Sequence, residues 1–168
     1  GVQKIADLLA DVETNPLPAD TGRPLTAAQA TTGVIGSLYS AEEGWQSLFY
    51  ALDSAFQGDG FGLQALADWL TERKPNGTYA NNANEALYAV NCIHRPDRFD
   101  PEATQQQAQE WSKEAPIFGA ALAWGNLPCY YWPVPAVDEP GPIAAPGTPP
   151  ILVVGTEYDP ATPYEWSV

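Results

Sequence analysis

The chain has 168 residues, 45% of them hydrophobic and 11% aromatic, with 21 acidic against seven basic side chains and a formal charge of −14. That balance excludes a nucleic-acid or anionic-membrane surface, because neutralising phosphates needs basic residues, and the apolar content excludes a disordered acidic tail. No apolar run approaches the ~20 residues of a membrane span.

Up to about residue 125 the sequence predicts helices. Ile5, Leu8, Leu9 and Val12 recur at helical spacing, and Asn15-Pro-Leu-Pro18 stops that segment because proline removes a donor and clashes with the preceding turn. Thr26-Ala-Ala-Gln29 has the capping-box form, and Ser40-Ala-Glu-Glu43 repeats it. The second box is expected to open a helix with Trp45, Leu48, Phe49, Leu52, Ala55 and Phe56 on one apolar stripe; Trp45 and Phe49 are accordingly expected in the core. Gly58-Asp-Gly60 ends it. Leu63, Leu66, Ala67 and Leu70 mark a fourth helix, closed by Lys74-Pro-Asn-Gly77.

A fifth helix is expected from about Asn82 to Cys92. Asp100-Pro-Glu102 places a cap and a first-turn proline before a polar helix reaching Trp111. Pro116 to Trp124 reads as a short apolar helix. Residues 133–150 then hold seven of the 17 prolines, an extended connector. Ile151-Leu-Val-Val-Gly155 suits a strand buried on both faces of a parallel sheet. Thr162-Pro-Tyr-Glu165 announces a helix by capping box and proline. A lone buried-type strand and a freshly started helix imply a piece of a larger α/β protein, and the absence of Met implies a processed or partial chain.

The chemistry available is narrow. One histidine, His94, and two cysteines, Cys92 and Cys129, give no metal-binding cluster, and neither a phosphate-cradling glycine motif nor a Gly-x-Ser-x-Gly elbow occurs. No cofactor is implied. The cysteines read as one disulfide, as two buried thiols or as a redox pair; a disulfide would contribute about 3–4 kcal/mol by restricting the unfolded chain. His94 reads as a surface or capping residue. Asp159 stands just past the carboxyl end of the predicted strand, where α/β sheets gather functional groups. Pro160 is expected to hold its backbone extended, away from the following helix. A carboxylate mounted there is placed to orient a histidine ring. A plain turn aspartate is the competing reading.

Gly155-Thr-Glu-Tyr-Asp-Pro-Ala-Thr-Pro-Tyr164 resembles the segment carrying the triad acid in tripeptidyl-aminopeptidase-like (TAP-like) α/β-hydrolases, secreted actinobacterial serine exopeptidases. Ser37-Leu-Tyr-Ser40 with Trp45, Leu48, Ala51-Leu52, Ala55 and Gly58-Asp59 is similar to their helical cap, as are Ala89-Val-Asn-Cys92 and Cys129 with Trp132-Pro133. The resemblance implies a mainly α chain: a helical cap at 1–132, a Pro-rich connector at 133–150, and at 151–168 one core strand and a helix start of a truncated α/β-hydrolase. It implies Asp159 as triad acid and Cys92–Cys129 as a cap disulfide. The family commonly has an acid two residues after the first cysteine, where this chain has His94.

The resemblance further implies a secreted or cell-envelope enzyme releasing short peptides from free N-termini. Its serine and histidine would be supplied outside these 168 residues, so the piece is expected to be inactive alone and to partner the remaining hydrolase core. Glu42 and Glu43 are candidates to hold the substrate ammonium, against readings as plain surface and as a capping-box partner. The alternative function is a non-catalytic, secreted, acidic helical binding module with one disulfide. An isolated surface turn at Asp159, with 151–155 fully wetted and no neighbouring polypeptide to complete them, would overturn the peptidase reading.

Overall fold

The computed structural model describes residues 1–168 apart from 21, 41, 138–140, 142, 143, 160 and 168. It is mainly helical. Among the described residues, seven α-helices succeed one another in chain order: α1 (Val2–Thr14), α2 (Ala27–Ser37), α3 (Glu43–Phe56), α4 (Phe61–Leu70), α5 (Ala83–His94), α6 (Pro101–Glu114) and α7 (Gly119–Trp124). Single 3-10 turns lie at Leu127–Cys129 and Tyr164–Ser167.

Local chemistry sets several of these boundaries. Thr26 caps α2 reciprocally: its hydroxyl accepts from the Gln29 N–H at 3.4 Å, and the Gln29 side-chain oxygen accepts from the Thr26 N–H at 3.1 Å. Asp100 accepts from the Ala103 N–H at 2.8 Å, and Pro101 fills the first helical position of α6. Gly58, at φ +94°, ends α3 in a left-handed turn that lets the Asp59 N–H reach the Ser54 carbonyl at 3.0 Å. Asp59 then accepts from the Phe61 N–H at 2.9 Å, satisfying a free donor at the start of α4.

The core joins α1 to α4 around fully buried Val12, Leu25, Ala30 and Leu63. Each buried Leu or Val contributes ~1.5–3 kcal/mol by leaving water. The α2–α4 crossing is tight: a Cβ on Gly33 would stand 2.4 Å from the Leu63 carbonyl oxygen, so only glycine lets the backbones meet there. The loop after α1 is pinned by an antiparallel bridge between Leu17 and Leu25 and by buried Gln64. Gln64 accepts from the Asp20 N–H at 3.3 Å and donates to the Arg23 carbonyl at 2.8 Å.

The second half is held by other means. Cys92 and Cys129 form a disulfide with Cα atoms 4.9 Å apart, joining α5 to the 3-10 turn at Leu127–Cys129. Arg98 reinforces it by donating to three carbonyls, those of Cys92 (3.1 Å), Trp132 (2.8 Å) and Val134. The Val137 N–H bonds the Ile93 carbonyl at 2.9 Å. The first residues of the connector are thereby fastened to the end of α5. Expectations that fall on residues 138–140, 142 and 143 of the connector, on Ala41, and on Pro160 and its effect lie outside the described residues.

Four local expectations are corrected. Ser40 does not cap α3: it lies in the link between α2 and α3, and the cap position falls on Glu42, whose side chain makes no capping bond. Trp45 and Phe49 are not core residues; they are 61% and 67% exposed, because α3 turns its small residues Ala51 and Ala55 inward instead. Residues 151–155 form no strand or ladder among the described residues, and Ile151, Leu152, Val153 and Val154 are 78, 88, 60 and 85% exposed. A strand needs a neighbour for its N–H and C=O groups, and no described segment supplies one. The helix announced at Thr162 is one 3-10 turn, and the Thr162 hydroxyl turns back to Asp159. In addition, α7 begins at Gly119 rather than Pro116.

Candidate functional site

Asp159 sits half-buried on a turn closed by a 3.4 Å bond from its own N–H to the Thr156 carbonyl. Its carboxylate is gripped by residues just downstream in the chain. Oδ1 accepts from the backbone N–H groups of Ala161 (2.8 Å) and Thr162 (3.0 Å), and Oδ2 accepts from the Thr162 hydroxyl at 2.6 Å. The hydroxyl bond first, then the two backbone bonds, hold the Asp159 pKa below its ordinary value. The 3-10 turn folds back against the chain before Asp159: a Cβ on Gly155 would stand 2.4 Å from the Ser167 hydroxyl oxygen.

Two carboxylate oxygens offer about four acceptor directions, and three are taken. Among the described residues, no further donor is found on Oδ2. Asp159 borders a cleft of about 520 Å³ whose other walls come from the α2–α3 corner (Leu38, Tyr39, Trp45) and from Thr156, Tyr158 and Ala161. Among the described residues on these walls, Asp159 is the one ionisable acid or base apart from the two tyrosines. An ionised carboxylate beside exposed aromatic rings is suited to accept from an imidazole or other N–H donor and to stabilise its charged form.

Other residues singled out from the sequence lie elsewhere. Glu42 and Glu43 are exposed at the start of α3 and do not line the Asp159 cleft; Glu43 borders a smaller pocket with Ser37, Ser40 and Trp69. His94 is exposed at the end of α5. Among the described residues, no group of three His, Cys, Asp or Glu side chains is placed to hold a metal ion, and no helix is long and apolar enough to cross a membrane. Sequence reasoning missed Thr162 as the residue fixing Asp159, although an Asp three residues before a Thr is the spacing of a side-chain-to-backbone turn. It also missed Tyr39 and Trp45 as cleft walls.

Comparison with known proteins agrees with the resemblance. The profile of a family described as TAP-like protein matches residues 115–168, the stretch that contains Asp159. Serine protease Hip1 of Mycobacterium tuberculosis is 36% identical over 156 residues, covering 90% of this chain and 30% of that protein. Carboxylesterase B of the same organism is 38% identical over 157 residues, again 90% of this chain and 30% of the relative. Tripeptidyl aminopeptidase of Streptomyces lividans is 32% identical over 106 residues, 63% of this chain and 20% of the relative. This chain thus spans less than a third of the length of these curated relatives. The profile match and relatives that align with nine-tenths of its residues support the TAP-like α/β-hydrolase family for this chain.

Proposed function

We propose that these residues are the helical cap and acid-bearing segment of a serine hydrolase that releases short peptides from free N-termini. In this reading Asp159 is the triad acid. The observation that supports it is the carboxylate itself: fixed by three donors, its pKa held below the ordinary value, and set in the wall of a cleft. An acid in that state holds a histidine in the tautomer that takes the serine proton and stabilises the imidazolium that results.

The serine and histidine are proposed to come from polypeptide outside this sequence, which contains no nucleophile elbow. The exposed apolar run 151–154 would then become a core strand once paired, since a buried parallel strand is apolar on both faces. Tyr39 and Trp45 would roof the reacting bond. Glu42 and Glu43, two and three residues before Trp45, are the carboxylates proposed to meet the substrate ammonium. Export from an actinobacterial cell fits the disulfide, which persists in oxidising compartments.

A serine-directed fluorophosphonate probe tests the assignment. The 168-residue chain alone should remain unlabelled, and the complete protein carrying it should label stoichiometrically. Labelling of the isolated chain contradicts the proposal, because it would place a nucleophile within these residues.

A further inference from the structure

The link from α4 to α5 makes one tight hairpin. Arg73 and Tyr79 form an antiparallel bridge, and the Lys74 N–H donates to the Thr78 carbonyl at 2.7 Å. At the tip, Lys74-Pro-Asn-Gly77 is a β-turn closed by the Gly77 N–H on the Lys74 carbonyl at 2.9 Å, with proline in its second place and Asn76 in its third. Gly77 has φ +84°, which a residue without Cβ adopts without strain. Residues 74–80 are exposed throughout.

Asn76 differs from the other asparagines of the chain. It alone precedes a glycine. Asn15 precedes a proline, which has no N–H, and Asn91 lies inside α5 with its amide donating to the Leu87 carbonyl at 2.8 Å. The side-chain oxygen of Asn76 accepts twice from one residue, from the Thr78 N–H at 3.0 Å and from the Thr78 hydroxyl at 2.8 Å. Two donors on a carboxamide oxygen make its carbon more electrophilic and stand ready for the negative charge that an attack there would put on the oxygen. On the attacking side, Gly77 brings no side chain, and a Cβ added to it would stand 3.2 Å from Arg73 Nη2. A guanidinium so close favours negative charge on the Gly77 nitrogen as its proton leaves.

We propose that Asn76 is a self-modifying site, which converts without an enzyme to aspartate and isoaspartate through a cyclic imide closed by the Gly77 nitrogen and assisted by Thr78. The Gly77 N–H first leaves the Lys74 carbonyl; both groups are on the exposed tip, so water replaces that bond. The amide proton passes to water and the nitrogen bonds Cγ of Asn76. The Cγ–Nδ2 bond then breaks, and Nδ2 departs as ammonia after taking a proton from water. A water molecule opens the ring at one of its two carbonyls. Opening at Cγ leaves aspartate; opening at the main-chain carbonyl leaves isoaspartate, with the backbone running through Cγ. Overall one water is consumed, one ammonia is released and nothing is oxidised or reduced. Either product adds one negative charge to the tip, and isoaspartate lengthens the turn by one carbon, which disrupts the spacing of the two bonds at Lys74. The proposal does not depend on the hydrolase reading.

The test incubates the protein at mildly alkaline pH and follows each asparagine by peptide mass spectrometry, with electron-transfer fragmentation separating isoaspartate from aspartate. Asn76 should convert at least about tenfold faster than any other asparagine, because ring closure depends on how closely the reacting atoms approach. Gly77→Ala should slow it by at least about tenfold for the same reason. Thr78→Val should slow it several-fold, less than the loss of a donor costs in a water-excluded site, and Thr78→Ser should keep the rate. The comparison among asparagines needs no variant, so strain from alanine at φ +84° does not decide the outcome. Conversion of Asn76 no faster than that of the other asparagines overturns the proposal, as does an unchanged rate in Gly77→Ala or in Thr78→Val.

Discussion

The Thr162 hydroxyl donates to Oδ2 of Asp159 at 2.6 Å, while the Thr162 N–H donates to Oδ1 of the same carboxylate at 3.0 Å. One residue thus holds both oxygens and fixes the plane of the carboxyl group.

Thr162→Val removes the hydroxyl bond, the largest contribution to the lowered Asp159 pKa, and should move that pKa up toward its ordinary value. Thr162→Ser should not. Because the folded pKa is the depressed one, the carboxylate's contribution to the turn is present above the unfolded pKa and lost as pH falls through the folded value. In Thr162→Val that loss is smaller and is complete at a higher pH. Carbon-detected NMR titration of the Asp159 carboxyl reads both the pKa and the order of the turn. An unchanged titration in Thr162→Val contradicts the assignment.

Reducing the Cys92–Cys129 disulfide, or replacing both cysteines by serine, should cost about 3–4 kcal/mol, as expected for opening a cross-link of sequence separation 37. Urea unfolding with and without reductant measures it.

Arg98→Met should loosen the start of the connector without unfolding the α1–α4 core. Three carbonyls lose a charged donor, so the Val137 amide should exchange at least about tenfold faster while amides near Leu63 keep their protection. Hydrogen exchange with mass spectrometry resolves the two regions.

Gly33→Ala should destabilise the α1–α4 core by about 1–3 kcal/mol or more, because the added methyl group meets the Leu63 backbone rather than a side chain that can swing away. Thermal unfolding checks this, with exposed Gln46→Ala as a control for substitution on a helix surface.

The helices were legible because their signals are local: the Thr26 box, the Asp100 cap with Pro101, and the Gly58 stop all operate within a few residues. The orientation of α3 was not. Periodicity placed Trp45 and Phe49 on the same stripe as Leu52, but the helix meets α4 through Ala51, where a Cβ on Gly62 would stand 2.9 Å from the Ala51 Cα. Close backbone contact between small residues decided the rotation, and the large rings point outward. Strand character at 151–155 depends on a partner that local sequence cannot supply. The wetted run and the turn at Asp159 match part of the outcome set against the peptidase reading, and the family match over 115–168 weighs on the other side. Asp159 was visible as an acid after an apolar run, yet the residue that fixes it was hidden, because Thr162 also fits a forward-facing cap.

The central claim is that Asp159 orients the base of a serine hydrolase. Its most direct test is kcat for Asp159→Asn in the complete protein, on a short peptide with a free N-terminus. The account predicts a fall of about 10⁴-fold with the fold intact, as when a triad acid loses its charge. A kcat within about tenfold of the unsubstituted protein, inside what a remote structural change produces, contradicts it.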